Sequence, residues 1–195
     1  MKYKFNFLLI IIFCLPCSCL AQLFSVIDFK EIKKNETPKE YRAILIVGSG
    51  VTENRFLFDE IVEPLSKKIS KKAITTEILF MPTSENDENN NTEILNQQLL
   101  KKEYDAVFFI MPNRTSITTI HEYSLQVSPP VVSRINSHSR GNSTLNFRIF
   151  DIKNLRDEVW MATMNINVEL ASRNAYRRIS NIIIESLVNN HLCKR

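Results

Sequence analysis

The sequence predicts a single α/β sandwich with a mixed sheet and the element order β-α-β-α-β-β-β-β-α. Residues 145–168 alternate apolar and polar side chains in two runs around a short polar linker, which is typical of an antiparallel hairpin. A continuous β-branched run at residues 43–47 indicates a strand buried on both faces, as in a parallel sheet. Apolar side chains recur every 3.6 residues between 175 and 187, which predicts an amphipathic helix near the C-terminus.

The first 21 residues have the pattern of a secretory signal peptide. Lys2 and Lys4 form a basic start, residues 5–15 are almost all apolar, and small residues follow as far as Ala21. The apolar run is too short for an ordinary membrane-spanning helix. We therefore expect an exported protein, located in the periplasm or at the inner face of the outer membrane.

Two routes of signal removal stay open. Cleavage after Ala21 would leave Gln22 as the first residue, and this is the route we favour. Alternatively, Cys19 would be acylated as in a lipoprotein, although Pro16 stands where the lipobox has an aliphatic residue. After cleavage only Cys193 remains, so no internal disulfide is expected, and we expect this thiol to be partly buried.

Residues 22–40 form an N-terminal lead-in segment, expected to be a tether or a loose edge segment, and residues 41–195 form the domain. The strand at 43–47 ends in a turn of Gly48, Ser49 and Gly50. A helix follows, and Pro64 is expected to kink it or divide it into two pieces.

The next elements complete the parallel part of the sheet. We predict a strand at residues 75–81, a polar surface loop at 83–91, a helix at 92–102 and a strand at 105–111, which Pro112 stops. Alternating strands and helices favour right-handed parallel crossovers.

The remaining strands are predicted to be antiparallel. A strand at residues 117–127 is followed by a polar loop at 133–143 and then by the hairpin. Trp160, the only tryptophan, opens the apolar face of the second hairpin strand and is expected to seat the sheet against a helix.

The hairpin sequence FDIKNLRDEVW and the closing helix resemble small bacterial envelope α/β domains. These include the curli-secretion lipoprotein and penicillin-binding-protein activator type, and related uncharacterised lipoproteins. In them a strand ending in an aromatic residue and Asp, a short turn and a Val/Ile-Trp strand precede the last helix. Here Phe150, Asp151, Val159 and Trp160 occupy those places. The resemblance implies an accessory or assembly role at the envelope, without a family active site.

Gly48, Ser49 and Gly50 are the candidate ligand-binding residues, because backbone N–H groups between a strand and a helix can hold an anion. Neither a third glycine nor a Gly-Lys-Ser/Thr sequence follows, so the dinucleotide and P-loop patterns are absent. Ser49 would act as a nucleophile only with a histidine nearby, and His121 and His138 are the central candidates. The plainer interpretation is that the glycines permit a tight turn.

No metal site is expected, because Leu125 stands where an H-E-x-x-H pattern after His121 would need its second histidine. Asp151 is interpreted as a turn-capping residue. The lysine run at 67–72 is interpreted as a solvated helix face, with contact to anionic lipid as the lesser alternative.

The net charge of +4, mild and spread along the chain, gives no case for nucleic acid. The leading hypothesis is a non-catalytic envelope protein without a cofactor, which binds another protein or assists assembly and touches the membrane only through a possible lipid anchor at Cys19. The alternatives are a small anionic-ligand binder using Gly48, Ser49 and Gly50, or a serine hydrolase. The sequence leaves the oligomeric state open.

Overall fold

The computed structural model describes residues 26–82, 88–123, 135–169 and 172–194. Within these ranges six strands and three helices follow one another in the order β-β-α-β-α-β-β-β-α. In chain order they are β1 (Val26–Lys33), β2 (Ala43–Gly50), α1 (Thr52–Ser70), β3 (Thr75–Pro82), α2 (Glu88–Lys101), β4 (Ala106–Tyr123), β5 (Ile135–Asp151), β6 (Asn154–Glu169) and α3 (Arg173–Asn189).

The six strands form one mixed sheet in the order β1-β6-β5-β4-β2-β3. Strand β2 runs parallel to both β3 and β4, whereas β5 and β6 pair antiparallel with their neighbours. The predicted α/β sandwich with a mixed sheet is confirmed. The two helices that connect the parallel strands lie on opposite faces, as crossovers of one hand require when the chain moves first to one side of β2 and then to the other.

The larger core lies between one sheet face and the helices α1 and α3. Phe58 and Leu65 from α1, and Tyr176 and Ile179 from α3, are almost fully buried in this cluster. A smaller cluster on the opposite face packs Leu95 and Leu99 of α2 against β2, β3 and β4. The sheet is therefore covered on both faces at the parallel side.

The hairpin predicted around residues 153–157 is confirmed as β5 and β6. Asp151 pairs with Asn154, so only two residues form the turn. Trp160 is fully buried in the larger core, with its ring centroid 6.0 Å from that of Phe108 and 6.5 Å from that of Phe147. It packs in the cluster that contains α3, as expected of the residue that seats the sheet.

The lead-in segment contains an additional strand, β1, which pairs antiparallel with β6 at the edge of the sheet. The carboxylate of Glu31 fixes this strand to the rest of the fold. Its Oε1 atom accepts hydrogen bonds from Trp160 Nε1 at 3.4 Å, from Asn190 Nδ2 at 2.7 Å and from Ser186 Oγ. Lys34 approaches the other oxygen, Oε2, at 3.4 Å.

The expected element order was wrong at two places. The strand β1 was not expected, and Pro112 does not stop a strand. Strand β4 continues from Ala106 to Tyr123 as a single element, and its pairing with β5 shifts register between Pro112 and Arg114. Such a bulge accommodates a residue that lacks a backbone N–H. The polar loop expected at 133–143 is also wrong from residue 135 onward, since β5 begins at Ile135.

The helices differ from expectation at their boundaries. Pro64 lies inside α1 but does not divide it, so α1 is one helix of 19 residues. Helix α2 begins at Glu88, inside the stretch expected as a loop, and residues 83–87 of that loop lie outside the described residues.

Candidate functional site

The turn predicted at Gly48, Ser49 and Gly50 is wrong, because these are the last three residues of β2, paired with residues 80–82 of β3. They lie directly before α1. A Cβ atom at Gly48 would meet the Phe58 ring at 2.4 Å, so a larger residue would displace a core side chain. Gly50 has φ +139, which L residues rarely adopt, and a Cβ there would meet the Asn54 side chain at 2.3 Å. Both glycines are thus required by local packing and backbone conformation.

Polar side chains lie beside the end of β2, next to Gly50. Thr115 Oγ1 lies 2.9 Å from Asn54 Oδ1, to which it donates, and 3.1 Å from the hydroxyl of Ser143. Val51, the N-cap residue of α1, makes no side-chain hydrogen bond to the first turn. Backbone N–H groups at a helix start favour an anion. Ligand binding by Gly48, Ser49 and Gly50 stays a prediction.

The histidines considered as partners of Ser49 lie far along the sheet. Gly48 of β2 is paired with Ile110 of β4, and His121 follows 11 residues later on the same strand. At about 3.3 Å per residue the backbones of Ser49 and His121 are on the order of 30 Å apart. His138 pairs one row before, opposite Ile120, at a similar distance. The geometry gives Ser49 no general base from these strands.

The most distinctive surface is a two-stranded ribbon formed by the distal parts of β4 and β5. Strand β2 pairs with β4 only as far as Ile110, whereas β5 pairs with β4 as far as Tyr123. Strand β6 ends opposite Arg140. Beyond that row, β4 and β5 pair only with each other among the described strands.

The side of β4 that faces away from β5 has no strand partner from Met111 to Tyr123 in the described part of the chain. Thirteen residues at about 3.4 Å each make an open edge of roughly 40 Å. Backbone N–H and C=O groups along such an edge are available to pair with another strand. The polypeptide that best complements this edge is an extended segment, which adds as a further strand.

The sequence did not reveal this ribbon, because Pro112 divided the strand and the polar residues after 133 were interpreted as a loop. In the structure these residues pair as strands, with Thr119 of β4 opposite Ser139 of β5. The alternation of residue types from 117 onward did predict a strand, and residues 117–123 form the distal part of β4. Residues 124–127 of that prediction lie outside the described residues.

A cavity of about 730 Å³ opens at the other end of the sheet, lined by residues that include Lys39, Tyr41, Asp105 and Asp151. Lys39 Nζ lies 2.7 Å from Asp151 Oδ2, and the backbone N–H of Lys153 donates to Asp151 Oδ1 at 2.9 Å. The latter bond confirms Asp151 as a turn-capping residue. Burial, together with the carboxylates of Asp151 and Asp105, raises the pKa of Tyr41 well above its ordinary value.

Cys193 is a buried free thiol, as expected, and burial raises its pKa to about 11. Cys19, the candidate lipidation residue, lies outside the described residues. Within the described ranges no helix combines the length and apolar character needed to cross a membrane.

No protein-family model and no curated protein matches this chain. Solved structures match at low identity. The PelC dodecamer from Paraburkholderia phytofirmans is 12% identical with a TM-score of 0.47, over 87% of this chain and 100% of that one. Lipoprotein GNA1162 from Neisseria meningitidis is 15% identical with a TM-score of 0.40, over 75% and 98%. A minor lipoprotein from Acinetobacter baumannii is 7% identical with a TM-score of 0.33, over 78% and 96%.

Two of these three structures are thus named as bacterial lipoproteins. The resemblance to the curli-secretion and penicillin-binding-protein activator type is a finer statement and stays a prediction. Likenesses at this level of identity and TM-score carry no functional information by themselves.

Proposed function

We propose that this chain is an exported, non-catalytic envelope protein that binds another polypeptide along the open edge of β4. The open edge from Met111 to Tyr123 is the observation that carries the proposal. The signal-peptide pattern of residues 1–21 supports export.

The unpaired edge of β4 favours the addition of a further strand. A two-stranded ribbon is only marginally stable in water by itself, and a third strand would supply main-chain hydrogen bonds along its length. The remainder of the sheet anchors the base of the ribbon, because β5 is paired on both sides from Arg140 to Asp151. The partner therefore adds to a preformed template.

Site-directed photo-crosslinking in the exporting cell tests this proposal. A crosslinking amino acid replaces Thr119 on the ribbon or, as the matched control, Leu100 on α2, whose side chain is 87% exposed. We expect one discrete adduct from position 119 and none from position 100. An adduct of twice the chain mass would identify a second copy as the partner. Absence of an adduct at 119, or equal adducts at both positions, would contradict the proposal.

Proline substitution tests whether the partner binds by strand addition. Consecutive residues direct their N–H groups to opposite sides of a strand. The crosslinking amino acid stays at position 119, and proline replaces either Ile117 or Thr118. One of these two variants therefore loses a bond within the β4–β5 ribbon, and the other loses only an outward donor. We expect the variant that loses only the outward donor to abolish the adduct while leaving the thermal stability of the domain unchanged. An adduct retained in both variants would exclude strand addition.

A second candidate function is binding of a small anion at Gly48, Ser49 and Gly50, favoured by the absence of a side-chain cap at the start of α1. A thermal-shift screen with anionic metabolites tests it, because a ligand that binds only the folded chain raises its melting temperature. A shift that survives Asn54→Leu, which replaces the amide beside Gly50, would place the ligand elsewhere.

A further inference from the structure

A second surface, separate from the ribbon, lies where the C-terminal end of α1 meets α3 and the end of the chain. It forms an open surface cavity of about 580 Å³ lined by Lys68, Lys71, Lys72, Ala73, Asn181, Ile184 and Lys194. Four ammonium groups therefore line one cavity, and no carboxylate is among its lining residues.

The lysines reach the cavity from separate parts of the chain. Lys68 belongs to the last turn of α1, and Lys71 and Lys72 follow at its C-cap and beyond. Basic residues are common at a helix C-terminus, because they complement the exposed carbonyl groups. That effect does not account for Lys194, which arrives from the opposite end of the sequence.

The Lys68 ammonium group is held by hydrogen bonds, whereas those of Lys71 and Lys72 can bind a ligand. Lys68 Nζ donates to Asn181 Oδ1 and lies 3.5 Å from the carbonyl oxygen of Arg177. In the described part of the chain Lys71 and Lys72 form no ion pair, while Lys194 lies 3.2 Å from Glu40 at the outer edge.

The lysines repel one another. Burial lowers the pKa of Lys68, and the positive charges of Arg177 and Lys71 lower it further, while Glu185 acts in the opposite direction. An anion in the cavity would relieve this repulsion.

We infer that this cavity binds a phosphate group, presented either by an anionic phospholipid headgroup or by a soluble ligand. Primary ammonium groups bind phosphate as point charges with up to three donors each. Its volume of about 580 Å³ leaves room for a phosphate with part of its substituent, and a non-polar part of that substituent would meet Ile184 and Ala73.

The test compares two double variants that remove the same charge. In one, Lys71→Gln and Lys72→Gln remove the free cavity ammonium groups. In the other, Lys30→Gln and Lys33→Gln remove two exposed lysines of β1, which lie outside the cavity. Each chain is expressed with its own leader, purified after export and checked for an unchanged thermal transition.

Two probes distinguish the source of the phosphate. Inorganic phosphate is titrated at constant ionic strength, set with chloride, and binding is followed by ³¹P line broadening. Vesicles of phosphatidylglycerol and phosphatidylcholine are compared with pure phosphatidylcholine by co-sedimentation. We expect the cavity variant to lose about 30-fold in affinity for the anionic vesicles, since each lysine near such a surface strengthens attachment about fivefold.

Loss of phosphate broadening in the cavity variant alone would assign a soluble phosphate ligand. Loss of vesicle binding in the cavity variant alone, without phosphate broadening in any chain, would assign the headgroup. Equal losses in both double variants would reduce the effect to general charge and overturn the inference, as would absence of binding to both probes. None of these outcomes depends on the partner of the ribbon.

Discussion

Replacing Glu31 tests whether its carboxylate fixes the edge strand to the core. Glu31→Ala would leave Trp160 Nε1, Ser186 Oγ and Asn190 Nδ2 without the oxygen that accepts their hydrogen bonds. Loss of a charged acceptor costs about 1.5–3 kcal/mol per bond. The Trp160 bond is long, at 3.4 Å, and Asn190 Nδ2 retains a second acceptor in the Ser186 carbonyl. We therefore expect a total loss of about 3 kcal/mol.

Glu31→Gln provides the matched comparison, because its side-chain oxygen still accepts hydrogen bonds. It loses the charge and the contact with Lys34, whose side chain is 71% exposed, so we expect a loss of about 1 kcal/mol. Asp28→Ala, an exposed change on the same strand, should fall within about 0.5 kcal/mol of wild type. Urea denaturation followed by circular dichroism measures all three. Equal losses for Glu31→Ala and Asp28→Ala would refute the reasoning.

The same carboxylate sets an acid limit on stability. Burial alone would raise the pKa of Glu31, but hydrogen bonds from Ser186, Trp160 and Asn190 outweigh it, and the pKa is lowered from its ordinary value of 4.5. A lowered pKa contributes stability that is present above pH 4.5 and is lost as the pH falls below it. Wild type should therefore lose more stability than Glu31→Gln in this acid range.

Three further predictions follow from single residues. Tyr176→Phe should stabilise the fold by about 1 kcal/mol in thermal denaturation, because its buried hydroxyl has no hydrogen-bond partner among the described residues. Burial raises the pKa of Tyr176 to about 12, so wild type should also lose stability from about pH 10 to 12, and the variant should lack this part. Ala73→Gly should stabilise by about 1 kcal/mol, because Ala73 has φ 62, whereas Ser66→Gly within α1 should destabilise by a similar amount in urea denaturation. The Cys193 thiol, with its pKa of about 11, should react with a disulfide reagent at pH 8 on the order of 100-fold more slowly than in urea, and equal rates would contradict its burial.

Much of the fold could be predicted where the pattern of residues reflects one dominant interaction. The β-branched run that forms β2, the alternation in β5 and β6 and the 3.6-residue period of α3 each record burial against a core. Ile27 and Phe29 carry the same alternation in β1 and pack against that core. The polar, lysine-rich composition of residues 22–40 indicated a tether or a loose edge segment instead of a paired strand.

The rest depended on contacts that no local pattern encodes. The continuation of β4 past Pro112 requires the bulge in its pairing with β5, which only the partner strand determines. Glu31 meets Ser186 and Asn190 across more than 150 positions of sequence. The basic cavity likewise brings Lys68 and Lys194 together through the packing of α3, so a lysine run that resembles a solvated helix face becomes part of a surface cavity only in the tertiary structure.

The pairing of β1 with β6 has a consequence for biogenesis. Among the described strands, the first to be synthesised is hydrogen-bonded to the last, since Val26 lies opposite Asn167. During translation this edge of the sheet cannot form until nearly the entire polypeptide has emerged. A nascent chain therefore stays incompletely folded until β6 has been synthesised. Chains truncated before Asn154 lack β6, the strand that pairs with β1. In such chains β1 should remain sensitive to protease.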